Sequence, residues 1–579
     1  MTTPWQKADK GRVHSLVLEQ VQQVERLQFD QFNRFERLAT LYDPNRPGSE
    51  EQADALGYVT ENVIASNVDT VQAAIATNEI RARFMTDDGD WSQQRQARHL
   101  EWYADGLCKL HDVDAKCAVA FGKGAAVRGT GVVYVDIKGG KLVVEHVLAD
   151  DIIVDNRELR GGGRIRQIHR RRIVDKDDLI AEYPKHEQAI LAGYNARSGL
   201  WAGYRPLGEN QVVVLHSWFL GKKGRCTVTL EGVDLEDKPY DSETPPFARI
   251  VWSERDESWY GISLAERIMG HQRVLNRSNW QIDRLVDRNA VPTTYVRQAD
   301  AGLAVKQVNR LGTIAVIRGE VPQTVIAPAI SPEVYRRQET VKASASEESG
   351  LTRMATHGAK PAGLDSGIAL REFRDQTTQR FATQEKAYER FKLDVVLLML
   401  ACCKKLGDKA PKVVRKSRFG KRELKWSDVD MGEVRVQIAA ASNLSKTPAG
   451  RTQLVLELAQ GGIISQDSAR RLLKHPDAER ELSLYTAALE NIERVFDDIA
   501  DGEVRVPEPY MHMAMCVWRG QQQYLIWRDD GAPEEVLEAL RDFIVLAADA
   551  VAKSEEAAMP QGPAPTAALA PEAMNLVAG

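Results

Sequence analysis

Cysteine and long apolar runs are scarce in this sequence. Its 579 residues include six cysteines, and no two of them form the Cys-x-x-Cys pair from which a zinc knuckle or a redox dithiol is built. The longest apolar run, from Val395 to Cys403, has nine residues, whereas a membrane-spanning helix needs about twenty. The start, Met1 to Trp5, has no apolar stretch behind a basic segment. We therefore expect reduced thiols in a cytosolic setting, no secretory signal and no contact with a membrane.

Positive charge is not in excess either. The chain has 77 Lys and Arg residues against 82 Asp and Glu residues, a formal net charge of −5. This balance excludes a protein that wraps nucleic acid through its overall charge. With 43% hydrophobic and 27% charged residues, the composition is that of a folded globular chain, and the length predicts roughly two to four hydrophobic cores.

The first hundred residues have the apolar spacing of helices. The pattern from Val17 onward predicts one long amphipathic helix that ends before Asp43. Two further helices are predicted over residues 58 to 80 and, with an interruption at Gly106, over residues 97 to 120.

The pattern changes after Gly129. β-branched runs on both sides of Gly139 and Gly140 predict a β-hairpin, and the region from about 125 to 255 has an α+β pattern. Its other predicted elements are strands over residues 152–154, 164–173, 212–219 and 226–230 and a short helix over residues 177–191.

A helix, a small β-rich insert and a second helix are predicted next. Residues 262–289 contain no proline and a single glycine, so they form one long helix. The insert has short β-branched runs separated by Gly and Pro. Ser331, Pro332 and Glu333 have the types typical of an N-cap and first helical turn, and they begin a helix that runs to about Ser349.

The rest of the chain is mainly helical in pattern. A flexible loop over residues 350–367 precedes an almost unbroken helix from Leu370 to Lys405. A strand is predicted over residues 434–438 and further helices over residues 447–552. The segment from Lys553 is rich in Pro and Ala, which predicts disorder.

Motifs for catalysis are nearly absent. Gly122, Lys123 and Gly124 lack the strand and the third glycine of a dinucleotide-binding loop. Asp150, Asp151 and Asp155 could hold Mg²⁺ as in a nuclease, but a solvated turn beside a strand is the favoured interpretation, because no histidine or distant carboxylate motif completes such a site. By elimination, the sequence favours a structural or binding protein over an enzyme.

A basic cluster spans residues 404–425 and leaves two alternatives. Ten basic residues stand there against Asp408 and Glu423. They could neutralise nucleic-acid phosphates, as in a monomeric nucleic-acid-binding protein. The favoured alternative is a solvated face or one that meets a neighbouring subunit. The basic residues are Lys404, Lys405, Lys409, Lys412, Arg415, Lys416, Arg418, Lys421, Arg422 and Lys425.

Four groups of residues, in a fixed order around the helix, β insert and helix, carry a family resemblance. Over nearly its whole length, up to about residue 552, the chain resembles the portal proteins of tailed bacteriophages. The groups are TENVIASNVDTVQAAIA (60–76), the Gly129-Thr130-Gly131 hairpin followed by Asp150, Asp151 and Asp155, WYGISLAERIMGHQRVLN (259–276), and GAKPAGLDSGIALRE (358–372).

The resemblance implies an α+β, predominantly helical subunit that assembles as a ring, usually of twelve copies. Its parts would be an N-terminal wing (1–260), a stem helix (261–290), a β-rich clip (291–332), a second stem helix (333–349), a tunnel loop (350–365), a long helix with the rest of the wing (366–440), a helical crown (441–552) and a disordered tail (553–579).

The resemblance also implies a non-catalytic role without metal or cofactor. The ring would sit at one capsid vertex of the virion after assembly in the host cytoplasm, and DNA would pass through it during packaging and ejection. Its partners would be double-stranded DNA, the terminase large subunit, the major capsid or scaffold protein, and head-completion or tail adaptor proteins. Arg353, His357 and Lys360 of the tunnel loop would face the DNA. Subunits would pack through four stem residues: Leu264, Ile268, Leu275 and Ile282.

Overall fold

The computed structural model describes most of the helices and sheets of the chain. The described residues are 5–9, 11–45, 61–76, 80–85, 91–195, 208, 210–290, 293–295, 323–325, 331–351, 380–417, 420–426, 435–439, 455–463, 469 and 476–558. Within them the fold is mainly helical with small antiparallel sheets, the α+β mixture that the sequence predicts. No helix in this part of the chain has the length and apolar character needed to cross a membrane.

The chain divides into two compact units. The first comprises Met1–Ala82, Ala104–Val413 and Ile438–Ala441, and the second comprises Arg83–Tyr103, Val414–Gln437 and Ser442–Gly579. The helices are α1 Val13–Leu27, α2 Phe29–Tyr42, α3 Val63–Ala76, α4 Trp91–Leu110, α5 Val113–Val119, α6 Lys176–Glu182, α7 Glu187–Asn195, α8 Leu264–Ala290, α9 Pro332–Ser349, α10 Ala382–Leu406, α11 Pro476–Ala500, α12 Met513–Asp529 and α13 Glu534–Ala558. The strands are β1 Arg81–Met85, β2 Thr130–Lys138, β3 Lys141–Val147, β4 Ile152–Val154, β5 Gln167–Asp175, β6 Gln211–Phe219, β7 Arg225–Leu230, β8 Val233–Pro239, β9 Phe247–Val251, β10 Thr293–Tyr295, β11 Gln323–Val325, β12 Val413–Ser417, β13 Gly420–Leu424 and β14 Arg435–Ala439.

Two antiparallel sheets organise the first unit. One has the order β3-β2-β9 and the other the order β4-β5-β6-β7-β8. The predicted hairpin is confirmed: β2 and β3 are joined by Gly139 and Gly140, whose φ angles of +57° and +74° suit glycine. In these two sheets the sequence analysis missed the strands β8 and β9, and elsewhere it missed β1, β12 and β13.

The main core of the first unit lies between the first two helices and the sheets. The predicted apolar face of α1 is buried through Val17 and Val21, and Phe35 of α2 packs against Tyr260 with ring centroids 5.4 Å apart. Trp218 of β6 belongs to the same cluster. Burying this apolar surface is the main source of stability for such a layered arrangement.

The predicted long first helix is in fact two helices. It breaks at Gln28, whose backbone leaves the helical region and whose side-chain amide donates a 2.9 Å hydrogen bond to the carbonyl of Val154. The apolar spacing of residues 17–38 is helical throughout, so it does not predict this break. The break is accompanied by the hydrogen bond to Val154, a residue distant in sequence. The predicted end before Asp43 is correct.

The predicted interruption at Gly106 is wrong. Helix α4 continues past it, because the glycine makes room for Val413: a Cβ at this position would lie 1.8 Å from Val413 Cγ1. The break comes instead at Asp112, which has a left-handed φ of 48°. This glycine therefore serves packing and does not end the helix.

Two other predicted helices also differ from those in the structure. The one over residues 177–191 is divided into α6 and α7 by a 3₁₀ turn at Pro184–His186, since proline cannot donate the next helical hydrogen bond. Of the long helix predicted from Leu370 to Lys405, residues 370–379 lie outside the described residues. The described part is a helix from Ala382 to Leu406, preceded by a turn that buries Phe381 near Trp252.

The second unit has a helical core. Helices α11, α12 and α13 pack together with the start of α4, and Phe496, Trp527 and Phe543 make edge-to-face contacts at its centre. Trp91 adds a further aromatic contact to Trp527 at 6.0 Å. Helix α13 extends to Ala558, five residues beyond the predicted start of the disordered tail at Lys553, and residues 559–579 lie outside the described part.

Candidate functional site

The predicted helix, β insert and helix form one antiparallel arrangement. Helix α8 is followed by a short strand pair and then by α9, which packs beside α8. In the strand pair, Thr294 of β10 lies opposite Thr324 of β11. Most of the predicted clip, residues 296–322 and 326–330, lies outside the described residues. The confirmed elements are the two helices and the strand pair between them.

The beginning of α8 is fixed by polar contacts. The Ser263 hydroxyl accepts a 2.8 Å hydrogen bond from the Glu266 backbone N–H, which caps the helix. The Glu266 carboxylate forms ion pairs with Arg34 at 2.9 Å and Arg255 at 2.7 Å. This network ties α8 to α2 and to the segment that precedes the helix.

A buried glutamine joins α8 to the start of α3. Gln272 is fully buried, and its Oε1 accepts a 2.9 Å hydrogen bond from the backbone N–H of Val63. Its Nε2 donates to the carbonyl of Glu61 at 2.7 Å and to Oδ1 of Asn276 at 2.8 Å. The side chain thus replaces water at a buried helix N-terminus.

Helix α9 is attached to α8 by side-chain hydrogen bonds at two levels. Gln338 donates to Asn279 at 2.7 Å, and His271 contacts Glu348 at 2.7 Å. Lys342 also pairs with Glu61, at 2.8 Å. The two contacts between α8 and α9 keep one antiparallel register, so the predicted stem helices behave as a single rod in this region.

The apolar stripe of α8 is covered over only part of its length. Three predicted packing residues, Leu264, Ile268 and Leu275, are at most 1% exposed and pack within the chain. Further along the same face, Ile282 is half-buried and Val286 is 53% exposed. A contact with a neighbouring copy would therefore use the distal half of the stripe, where Ile282 lies, because the proximal half is already covered.

The predicted tunnel-loop residues Arg353, His357 and Lys360 lie outside the described residues. The structure fixes where their segment begins. Helix α9 ends at Ser349, Gly350 follows with a left-handed φ of 81°, and Leu351 is buried. The segment that holds these residues therefore starts at the C-terminal end of α9, whereas the strand pair lies at its N-terminal end.

The acidic trio does not have the geometry of a metal site. Arg128 Nε donates to both carboxylate oxygens of Asp150, at 2.9 and 3.1 Å. Arg157 donates three hydrogen bonds from its side chain and one from its backbone N–H to Asp155. Burial opposes ionisation of Asp155, but these hydrogen bonds outweigh it and hold its pKa below the usual value. Across the described residues, no three His, Cys, Asp or Glu side chains converge as metal ligands would.

His169 and the glycines of residues 122–124 have structural surroundings. His169 is buried, its Nδ1 lies 2.8 Å from Ser217 Oγ, and burial lowers its pKa to about 4. Gly124 lies in a π-helical turn, Ala120–Ala126, that packs on β2, where a Cβ would approach Gly131 Cα to 2.5 Å. These glycines allow the close approach of two backbones and do not form a phosphate loop.

The basic cluster is spread over several elements. Lys404 and Lys405 are exposed at the end of α10, and Lys405 Nζ lies 5.9 Å from the centre of the Tyr240 ring. Lys409 and Lys412 are also exposed. The side chains of residues 415–423 lie outside the described part.

The sequence analysis missed two features with functional potential. Gln272 is one, since a single polar residue on an amphipathic helix has no distinguishing pattern. The other is a groove between α12 and α13 that is lined by exposed apolar side chains, among them Leu525 and Val545. For α12 a signal did exist, because its apolar residues occur on every side of the helix.

Comparisons with known proteins give little further information. No family model matches this chain, and no curated protein matches it. One similar solved structure is described as the neck of an empty GTA particle computed with C6 symmetry. The alignment covers 75% of this chain and 95% of that chain, with 13% identity and a TM-score of 0.32. A likeness of this size assigns neither a fold nor a function to this chain.

Proposed function

We propose that this chain is the portal subunit of a phage-like particle and acts as a non-catalytic conduit for DNA. Copies close into a ring at one vertex of the capsid, and DNA passes through the centre during packaging and ejection. The ring, its partners and the assignment of residues to wing, stem, clip, loop and crown all belong to this proposal.

The observation that carries the proposal is the partly covered stripe of α8. Its proximal residues are packed within the chain, whereas Ile282 is half-buried and Val286 is exposed at the distal end. A helix whose apolar stripe continues past the part that its own chain covers is suited to packing beside the same helix of another copy. Repetition of a head-to-tail contact closes a ring when the rotation between copies allows it.

Charge supports a conduit rather than a tight DNA binder. Tight phosphate contacts would resist sliding, and each one adds to the salt dependence of binding. A chain with a net charge of −5 and a few cations in a loop fits a surface that DNA passes without being held. We assign the transient phosphate contacts to Arg353 and Lys360.

The partners follow from the same proposal. The segment around β10 and β11 is the clip, where the terminase large subunit docks during packaging and adaptor proteins dock afterwards. The capsid or scaffold protein meets the periphery of the ring. The clip assignment is supported by the position of the strand pair in the chain, after the end of α8 and before the start of α9.

A metal-dependent nuclease is the alternative that the acidic trio raises. The arginine contacts to Asp150 and Asp155 disfavour it, because these carboxylates already accept hydrogen bonds from guanidinium groups. A monomeric nucleic-acid binder that uses the basic cluster is the other alternative, and steep salt dependence of DNA binding by a single chain would favour it.

Sedimentation velocity over a wide range of concentration tests the proposal. A ring predicts one discrete species several times heavier than the 64.6 kDa chain. A chain that sediments as a monomer at all concentrations, and binds DNA with steep salt dependence, would instead favour the nucleic-acid binder.

A further inference from the structure

Three arginines form a row on the side of α8 that faces away from α9. Arg273, Arg277 and Arg284 are all exposed, and helical geometry places them within about 40° of arc around the helix. The side chains that contact α9, His271 and Asn279, lie on the opposite side. Within the part of the chain that the structure describes, none of the three arginines forms an ion pair. We call these three residues the arginine row.

Negative charge is scarce on this side of the helix. The described side chains of α8, residues 264–286, include two acidic ones. Glu266 lies on the same side as the arginine row, but it pairs with both Arg34 and Arg255, so that end of the helix keeps a net positive charge. Asp283 lies about 80–120° around the helix from the row. The face therefore attracts anions.

An aromatic ring lies within the row. The Arg284 Cζ is 4.3 Å from the centre of the Trp280 ring, and Trp280 is 45% exposed. A cation over the face of an indole is attracted by the quadrupole of the ring. This contact holds the guanidinium at the surface of the helix without using a carboxylate, so its charge remains available to a ligand.

The composition of this face fits a nucleic acid better than a protein. Protein interfaces have an apolar core, but the exposed large apolar side chains on this side are Trp280, which contacts Arg284, and Val274. Interfaces with DNA are instead polar and strongly positive. All three cations are arginines, whose planar guanidinium can donate two hydrogen bonds to one phosphate. Helix α9 of a second copy is a poor partner, because Arg336 and Arg337 are exposed on it.

We propose that the arginine row of α8 binds the phosphate backbone of double-stranded DNA. This gives the proposed conduit a second surface for DNA, in addition to the loop cations Arg353 and Lys360. The inference rests on the proposed function, because it takes the ligand from that proposal.

The spacing of the row suits DNA that moves. Along the helix axis, Arg273 and Arg277 are about 6 Å apart, and Arg277 and Arg284 are about 11 Å apart. A phosphate that leaves one guanidinium can therefore meet another further along the same helix. Contacts of this kind, which depend on charge and not on base sequence, allow a protein and DNA to slide past each other.

The salt dependence of DNA binding tests the inference. Each phosphate contact adds about 0.9 to the slope of log K against log salt concentration. The full-length chain is titrated with a short DNA duplex of random sequence between about 50 and 200 mM salt, and fluorescence anisotropy reports the affinity. The test variant replaces the whole row: Arg273→Gln, Arg277→Gln and Arg284→Gln. Polyglutamate serves as a second, acidic probe without phosphate.

Two control variants separate charge from structure. The first removes three exposed lysines elsewhere in the first unit, by Lys185→Gln, Lys222→Gln and Lys223→Gln. The second replaces the three arginines of the row with lysine, which keeps the charge. Circular dichroism checks that each variant has the helical content of the natural chain.

We expect the glutamine variant of the row to bind the duplex more weakly, with a slope smaller in magnitude by about 2–3. The first control should keep the natural slope, and so should the lysine variant of the row, because the slope counts charges. If the glutamine variant misfolds, the single changes Arg273→Gln and Arg277→Gln replace it, and each should lower the slope by about one.

A glutamine variant with the natural slope would overturn the inference and leave the proposed ring in place. A natural chain that does not bind the duplex, or that binds polyglutamate as tightly, would also overturn it, the latter result in favour of an acidic protein partner. If the natural chain stays monomeric but loses duplex binding in the glutamine variant, the arginine row binds DNA as inferred and the proposed ring fails.

Discussion

Gln338 donates a 2.7 Å hydrogen bond from its side-chain amide to Oδ1 of Asn279 and so ties α9 to α8 within the first unit. Each amide satisfies part of the other's hydrogen-bonding capacity at a half-buried position. The helices that lead to and from the strand pair are therefore joined to each other. In the proposed ring, this pair is the element that neighbouring copies contact.

A charge at the distal stripe should separate assembly from folding. We predict that Ile282→Asp folds with normal helical content but does not assemble, because the carboxylate would have to enter an apolar contact between copies. Light scattering and circular dichroism measure the two properties. The matched control is Arg277→Glu on the opposite side of α8, which should assemble normally.

Leu275→Asp should behave differently from Ile282→Asp. Leu275 is fully buried within the chain, so a charge there disrupts the fold itself and should give aggregates or a markedly lower thermal midpoint. Normal assembly of Ile282→Asp, with a mass equal to that of the natural chain, would show that the distal stripe takes no part in contacts between copies.

Three buried or half-buried histidines predict loss of stability in acid. Burial lowers the pKa of His146 and His169 to about 4 and that of His216 to about 3. An unfolded histidine titrates near 6.5, at roughly its ordinary value. Stability from these residues is thus complete above about pH 6.5 and declines as the pH falls toward the folded pKa values, by up to about 1.4 kcal/mol per pH unit for each proton.

Replacing one of these histidines tests the pH dependence. The change His216→Gln should make the free energy of unfolding fall less steeply between pH 6.5 and 5, because one proton fewer is taken up on unfolding. Denaturant titrations at several pH values measure the slope. An equal slope in His216→Gln and in the natural chain would contradict a neutral imidazole at this position in the folded protein.

The Arg128–Asp150 ion pair predicts a structural role for the acidic trio. Both side chains are largely buried. We expect Asp150→Ala to cost about 3–5 kcal/mol of stability, because the buried guanidinium loses its counter-charge. Chemical denaturation measures this cost. Neither this variant nor the natural chain should cleave plasmid DNA in Mg²⁺, and Mg²⁺-dependent cleavage that is lost in Asp155→Asn would support the nuclease alternative.

The tunnel-loop cations should affect DNA in transit. Replacing Arg353 and Lys360 together with Ala should lower the packaging rate or the retention of DNA in the particle, and it should reduce the salt dependence of DNA binding by the ring. The control is Lys409→Ala and Lys412→Ala, which removes two exposed cations elsewhere in the chain. Normal packaging and retention in the loop variant would show that these residues do not contact the phosphates.

Local patterns predicted many elements of the fold. Ser331 caps α9 as expected, accepting a hydrogen bond from the Glu333 backbone N–H, and the two-glycine turn joins β2 to β3. Such features depend on residues close in sequence. The break at Gln28 and the uninterrupted helix at Gly106 were not predicted, because their causes are Val154 and Val413, residues distant in sequence.

The candidate site was predictable only in part for the same reason. Periodicity identified the apolar stripe of α8, but it could not show that Leu275 is covered while Val286 is exposed. That difference depends on which helices pack on α8. The sequence likewise left a Mg²⁺ site as the less favoured alternative for the acidic trio, because it does not show that Arg128 and Arg157 contact Asp150 and Asp155.

The mass and shape of the purified chain, by light scattering with negative-stain electron microscopy, test the central claim most directly. The proposal predicts rings with a central hole and a mass near twelve times 64.6 kDa. A compact particle with the mass of one chain and no central hole, even at high concentration, would contradict it.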